Sequence, residues 1–173
     1  MPGSVRRIVT AANEAGRSYI LSDKTFPMEA PPGEPTRVGL WLTDSGQSSN
    51  KGTLDPVSDG VIAQIAPAHK GGSVFRIVDM PPEREQPRNP AELARRGGHT
   101  DPERSAKHPG FHATNTVDYA LCLEGEVWAI MDEGETLMKA GDVLIQRGTY
   151  HAWANRSDKT CRMAFILLDA EPL

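Results

Sequence analysis

His112-Ala113-Thr114-Asn115-Thr116-Val117-Asp118 is followed after six residues by Gly125, and Gly141-Asp142-Val143-Leu144-Ile145-Gln146-Arg147-Gly148-Thr149-Tyr150-His151-Ala152-Trp153-Ala154-Asn155 comes soon after. These two stretches decide the fold. Both alternate in the way of half-buried strands, so Asp118, Ala120 and Cys122 share one face, and His151 and Trp153 share another. Asp118 thus opens an otherwise small, apolar face. An ionised carboxylate in such a place is costly unless it is paired or coordinated. His112, Asp118 and His151 are therefore candidate ligands of one divalent metal ion, which would relieve their mutual desolvation. The competing reading has Asp118 hydrogen-bonded to Thr114 or Thr116, with the histidines as ordinary buried polar groups.

Short strands are expected on both sides. Val117–Leu123, Glu126–Met131, Thr136–Lys139, Val143–Gln146, Tyr150–Trp153 and Cys161–Leu168 are separated by turns at 132–135 and 140–142. This spacing is that of a sandwich or small barrel. Upstream, Ser18–Leu21, Arg37–Thr43 and Gly72–Met80 read as strands. Pro27–Pro35 reads as a proline-rich loop, and Asp44–Gly60 as a polar surface loop. Residues 81–111 form a long polar connection. Within it, Asn89-Pro90 opens and Gly97 closes one short helix. A connection this long in a β domain reads as a lid, covering residues 82–110.

The composition agrees. The chain has 173 residues, 38% hydrophobic and 24% charged, with 16 Gly and 14 Pro, which favours an all-β domain over a helical bundle. The net charge of −4 offers no basic stripe, so neither nucleic acid nor an anionic membrane is expected as a partner. No apolar run is long enough to span a membrane, and Asn13 and Glu14 interrupt the early apolar residues before they make a signal-peptide core. Cys122 and Cys161 read as buried, reduced thiols, and the expected location is cytoplasmic.

The two opening stretches resemble the paired motifs of the cupin family: His-x-His, a Glu and a Gly in the first, and a Gly, a His and an Asn in the second. The match covers residues 108–169. Thr114 stands where the second histidine would be, Asp118 replaces the glutamate, and Arg147-Gly148 replaces Pro-x-Gly. The resemblance implies an all-β double-stranded β-helix, or jelly-roll, with one short helix in the long loop. Residues 1–80 would supply N-terminal strands packing on the barrel, residues 81–111 the lid, and residues 108–169 the core. It also implies one bound metal (Fe, Zn or Mn) in a two-histidine, one-carboxylate arrangement with open positions.

The implied function is that of a metal-dependent enzyme on a small organic substrate, aromatic or polyketide-like, with dioxygenase, decarboxylase or isomerase chemistry. The alternative is a small-molecule-binding or regulatory cupin without turnover. Thr114 and Trp153 would line the pocket. Arg147 either meets an acidic substrate or ends a strand at the surface. Trp128 is expected in the core, and His99 and His108 in solvent. A homodimer is expected, with Arg37–Thr43 able to pair across a two-fold axis.

Overall fold

The computed structural model of the chain describes residues 3–28, 30, 36–46, 48–85 and 89–173. The expected proline-rich loop falls largely at 29 and 31–35, outside the described residues. Ten strands dominate: β1 (Ser4–Ala12), β2 (Ser18–Pro27), β3 (Thr36–Thr43), β4 (Ser73–Met80), β5 (Thr116–Glu124), β6 (Glu126–Met131), β7 (Glu135–Lys139), β8 (Val143–Arg147), β9 (His151–Ala154) and β10 (Cys161–Asp169). They form an all-β jelly-roll. A five-stranded sheet in the order β3-β4-β10-β5-β8 faces a three-stranded sheet in the order β7-β6-β9.

Register sets what points inward. On β10, Phe165 lies opposite Ala120 of β5 and Arg76 of β4, and Leu167 lies opposite Asp118 and Val74. Paired residues share a face, so all six face the space between the sheets. Val127 and Ala129 of β6 close the core from the other side, together with Trp153 of β9 and Met138 of β7. Cys122 and Cys161 are both buried and unoxidised, with sulfurs 3.8 Å apart.

The N-terminal region differs from expectation. β1 and β2 pair over nearly their full length as one long hairpin, where shorter strands were expected. Its turn is set by Asn13, whose Oδ1 accepts from the N–H of Ala15 and of Arg17 at 3.0 Å, and by Gly16 at φ 72°, a conformation glycine adopts without steric cost. The hairpin covers the outer face of the large sheet, where Phe26 and Met28 pack with Val38, Leu40, Ile77 and Ala164. β3 and β4 join the barrel sheet itself, so the barrel draws on the chain well before residue 108. β3 is an edge strand as expected, but part of that edge is used within the chain: Gly39 N–H donates to the Gly60 carbonyl at 2.7 Å.

Arg7 pins the hairpin down. Its buried guanidinium donates to the carbonyls of Leu40 (3.0 Å) and Val57 (2.9 Å), pairs with Asp55 and lies over the Phe26 ring. Arg7→Ala strands Asp55 and two carbonyls, and is expected to cost about 2–3 kcal/mol in urea unfolding, as for buried charge-assisted bonds. A cost under about 0.5 kcal/mol, the level of an ordinary surface substitution, would show the anchor to be idle.

The long connection holds two short helices where one was expected: α1 (Pro90–Arg95) and α2 (Pro102–Lys107), after a 3₁₀ turn at Glu83–Glu85. Asn89 caps α1 by accepting from Ala91 N–H, and Asp101 caps α2 by accepting from Arg104 N–H. Asp101-Pro102 repeats the start signal of Asn89-Pro90, so the second helix was readable by the same rule. No helix among the described residues is long and apolar enough to cross a membrane.

Candidate functional site

One group of buried polar side chains gathers at one end of the barrel. Thr114, Thr116, Asp118, Gln146 and His151 are all buried there. Thr114 leads into β5, and Thr116 and Asp118 lie on it two positions apart, on one face. The Thr116 hydroxyl donates to Asp118 Oδ1 at 2.5 Å, and the Thr114 and Thr116 hydroxyls are 2.6 Å apart. Thr116 gives its proton to the carboxylate, so the Thr114 hydroxyl donates to Thr116. The result is a buried relay running Thr114, Thr116, Asp118. Burial pushes the Asp118 carboxyl up to about 6, against the opposing pull of the Thr116 bond and the charge of Arg76.

His112 and His151 are brought together. Their backbones exchange two hydrogen bonds of 3.0 Å, and their ring centroids lie 4.5 Å apart. His112 Nδ1 sits 2.9 Å from the Gly110 carbonyl, and His151 Nδ1 sits 3.0 Å from that of Thr149. A carbonyl only accepts, so Nδ1 carries a proton in each ring, and in a neutral ring Nε2 is then the lone-pair nitrogen. Burial lowers His151 to about 4, so it stays neutral near pH 7. Gln146 lies opposite Asp118 and donates to Thr149 at its backbone carbonyl and hydroxyl, holding the turn that orients His151.

The orientation of the two imidazoles is that of metal-bound histidines, whose second nitrogen is usually held by a carbonyl or carboxylate. Asp118 does not join them. Its carboxylate is engaged by Thr116, and among the described residues no three His, Cys, Asp or Glu side chains converge closely enough to hold a metal ion. Two donors fit a divalent cation, and the third is absent from the group as placed.

The other expected residues fall as follows. Trp153 is buried, edge-on to His151 (5.7 Å) and to Phe165 (5.5 Å), and so forms an inner wall. Arg147 is exposed, on the rim of a cleft of about 340 Å³ that Gln146, Thr149 and Leu173 also line. Trp128 is on the outer face of β6 beneath Arg156, not in the core, because it alternates with the inward Val127 and Ala129. His99 is exposed as expected. His108 is not: its ring is bonded to Glu83 and is only 13% exposed.

Arg76 is a site residue that the sequence reading passed over. Gly72 to Met80 reads as a half-buried strand, alternating apolar and polar residues. Arg76 instead shares its face with Val74 and Val78, and is 8% exposed. Its neighbours two positions away were the available signal. Burial first, then repulsion from Arg96 and Arg37, lowers its pKa to about 9, while Asp118 opposes that shift.

The long connection is tied over this end. Ile65 N–H donates to the Arg96 carbonyl at 2.8 Å, His99 and Ala113 form a two-bond bridge, and Arg104 pairs with Asp132 while lying over Tyr150. Gly98 packs on the His112 ring, where an added methyl would sit 3.5 Å from two ring-side carbons. The Glu83 carboxylate ties the start of the segment to its end through His108, and the Glu83 N–H ties it to the barrel at the Asn155 carbonyl. Glu83→Ala should therefore speed proteolytic cleavage within 82–110, as expected when a local latch is removed. Unchanged cleavage in a folded variant would show that the latch carries no closure.

Comparison with known proteins agrees with this architecture. The family described as "Cupin domain" matches residues 99–167. Phomopsin biosynthesis cluster protein D of Diaporthe leptostromiformis is 38% identical over 60% of this chain and 43% of its own length. Oryzines biosynthesis cluster protein J of Aspergillus oryzae is 46% identical over 38% of this chain and 40% of its own. A cupin-domain-containing oxidoreductase of Neurospora crassa is 30% identical over 60% of this chain and 43% of its own. The chain spans about two fifths of the length of these relatives. With eight strands in two facing sheets, and His112, Asp118 and His151 of the two motif stretches at the polar end of the barrel, residues 99–167 match the cupin family in sequence and in architecture.

Proposed function

We propose that the chain is an enzyme that moves protons on a small, oxygen-rich organic substrate, in isomerase- or lyase-type chemistry at the polar end of the barrel. The observation that carries this reading is the buried Thr114–Thr116–Asp118 relay. A carboxylate with a proton affinity near neutrality is the group a general base requires. A relay of hydroxyls lets it act on a proton at Thr114 while staying out of water. The Nε2 lone pair of neutral His151 accepts a hydrogen bond from a substrate hydroxyl and holds the reacting carbon in place. The relatives in biosynthesis clusters support a step in making a small molecule. Aromatic or polyketide-like carbonyl compounds are the first substrates to try.

Deuterium exchange beside the carbonyl of such compounds, followed by NMR in D₂O, tests this. The native chain should accelerate exchange. Thr116→Val, which keeps the shape but breaks the relay, should lose about 10²-fold or more, the usual worth of a positioned proton-transfer group. Exchange at the native rate in Thr116→Val would sink the relay.

A second reading is favoured by the metal-type orientation of the two imidazoles: one divalent ion (Fe, Zn or Mn) held by His112 and His151, with Asp118 released from Thr116. It predicts one equivalent of metal by mass spectrometry, lost in His112→Ala and His151→Ala. Thr114→His would then tighten retention against a chelator by adding a donor. Metal-free native protein that still catalyses exchange would discard it.

A further inference from the structure

Arg76 is an inward-facing guanidinium on a face it shares with the apolar Val74, Ala120, Phe165 and Leu167 and with the carboxylate of Asp118. Its one hydrogen bond among the described residues runs from Nη1 to the Gln64 carbonyl at 3.1 Å. No carboxylate among them lies within ion-pair distance of it. The charged groups around it are Arg96 and Arg37, which repel it, and Asp118, which attracts it. Glu92 faces Arg96 and Arg37 from α1 and is engaged by Arg95. The other nitrogens of Arg76 are not sealed off among the described residues, so an anion reaching them would complete the fork with charge-assisted bonds.

What lies beside Arg76 defines the shape of that anion. Phe165 is directly opposite Arg76 across the β4–β10 pair, and Trp153 stands edge-on to Phe165. His151 stands edge-on to Trp153 in turn. Guanidinium, two flat apolar rings and the imidazole pair therefore follow one another along the barrel. The inward residues flanking the rings are small: Ala120 is opposite Phe165 and Ala129 is opposite Trp153. Flat walls beside small side chains favour a planar ring over a branched chain.

We propose that Arg76 is the anchor for the carboxylate of a flat, aromatic acid, which lies along Phe165 and Trp153 with its far edge toward His151. This rests on the reading of the polar end as the reacting site, and it narrows the substrate from any oxygen-rich compound to an aromatic acid. A planar fork recognises a carboxylate through two parallel bonds, which a lysine ammonium cannot reproduce. Arg147, which the sequence suggested for this task, is on the exposed rim. The buried Arg76 is the stronger recognition group, because a low-dielectric surrounding strengthens its hydrogen bonds.

The probe is salicylate, compared with salicylamide, which has the same shape without the charge. Binding to the full chain is read by tryptophan fluorescence and by thermal shift, with folding checked by circular dichroism. The native chain should prefer salicylate by about 10-fold to 100-fold, the worth of a charge-assisted pair. Arg76→Gln should erase that preference, and Arg76→Lys, which keeps the charge and guards against a misfolded glutamine variant, should retain only part of it. Equal affinity of the native chain for acid and amide, no saturable salicylate binding at millimolar concentration, or full preference in Arg76→Gln would each overturn the anchor and leave Arg76 as a structural tie to Gln64. Deuterium exchange on neutral carbonyl compounds, run in parallel, separates the two ideas. Loss of the acid preference with exchange intact removes only the anchor, whereas acid binding without exchange removes the relay and keeps the anchor.

Discussion

Asp118→Asn is expected to unfold at higher urea concentration than the native chain at pH 7, while losing proton transfer. The carboxyl titrates near 6 in the folded chain, against 3.8 ordinarily. A raised carboxyl favours its protonated form, so the folded state binds more protons than the unfolded one between those values. Stability attributable to Asp118 therefore falls as pH rises from about 4 to 6. Above that range the native chain carries a penalty of about 2–3 kcal/mol, because each tenfold gain in proton affinity is worth about 1.4 kcal/mol. Asparagine removes it and still accepts the Thr116 hydrogen bond. The stability difference between variant and native should be near zero at about pH 3.5 and grow to its full value by about pH 7. His151 acts with the opposite sign. Its lowered pKa disfavours the folded state as pH falls from 6.5 toward 4. In the native chain the two effects oppose each other, and in the variant only the histidine's remains. Urea unfolding at several pH values, with a chelator present, reads both. A pH-independent difference, or a variant less stable at pH 7, would show that Asp118 is not held against its solvation. A group that costs stability and supports turnover is the usual compromise of an active site.

Trp153→Ala is expected to cost about 3–5 kcal/mol, the range for emptying a large aromatic site in a packed core. The indole is buried between Phe165 and His151, and Ala129 opposite it is too small to fill the void. The loss should appear as a lower urea midpoint with an unchanged m-value. A second consequence follows from the edge contact with His151. With the indole gone, water reaches the imidazole and its pKa should rise from about 4 toward 6.5. NMR titration of the histidine ring protons measures this directly. If the pKa stays low in a folded variant, the Thr149 side of the ring, not the indole, controls its desolvation. Trp153→Phe should recover most of the stability, because it keeps an aromatic face against Phe165.

The strands after residue 111 were legible to within one or two positions, because their alternation is strong and their turns carry Gly134 and Gly141 with positive φ. The N-terminal hairpin was less legible. Arg6, Arg7, Asp23 and Lys24 break its apolar pattern. Those residues are explained only by cross-strand partners such as the Arg6–Asp23 pair and by the burial of Arg7. Trp128 and His108 were misplaced for a similar reason. Residue type suggested core for the indole and solvent for the imidazole, but strand parity and a Glu83 distant in sequence decided otherwise.

Local information was enough for the jelly-roll strands, the cap at Asn89, the buried thiols and the shared face of Asp118, Ala120 and Cys122. Each depends on periodicity or on contacts a few residues apart. It was also enough to single out His112, Asp118 and His151 as unusual in an apolar setting. Which of them meet was decided by the tertiary structure, because that depends on register between strands far apart in the chain. His112 and His151 pair across a backbone bridge, and Asp118 turns to Thr116. The inward position of Arg76 belongs to the same class of fact. Period two leaves a strand free to present either face, and only the β10 partners placed this guanidinium inside.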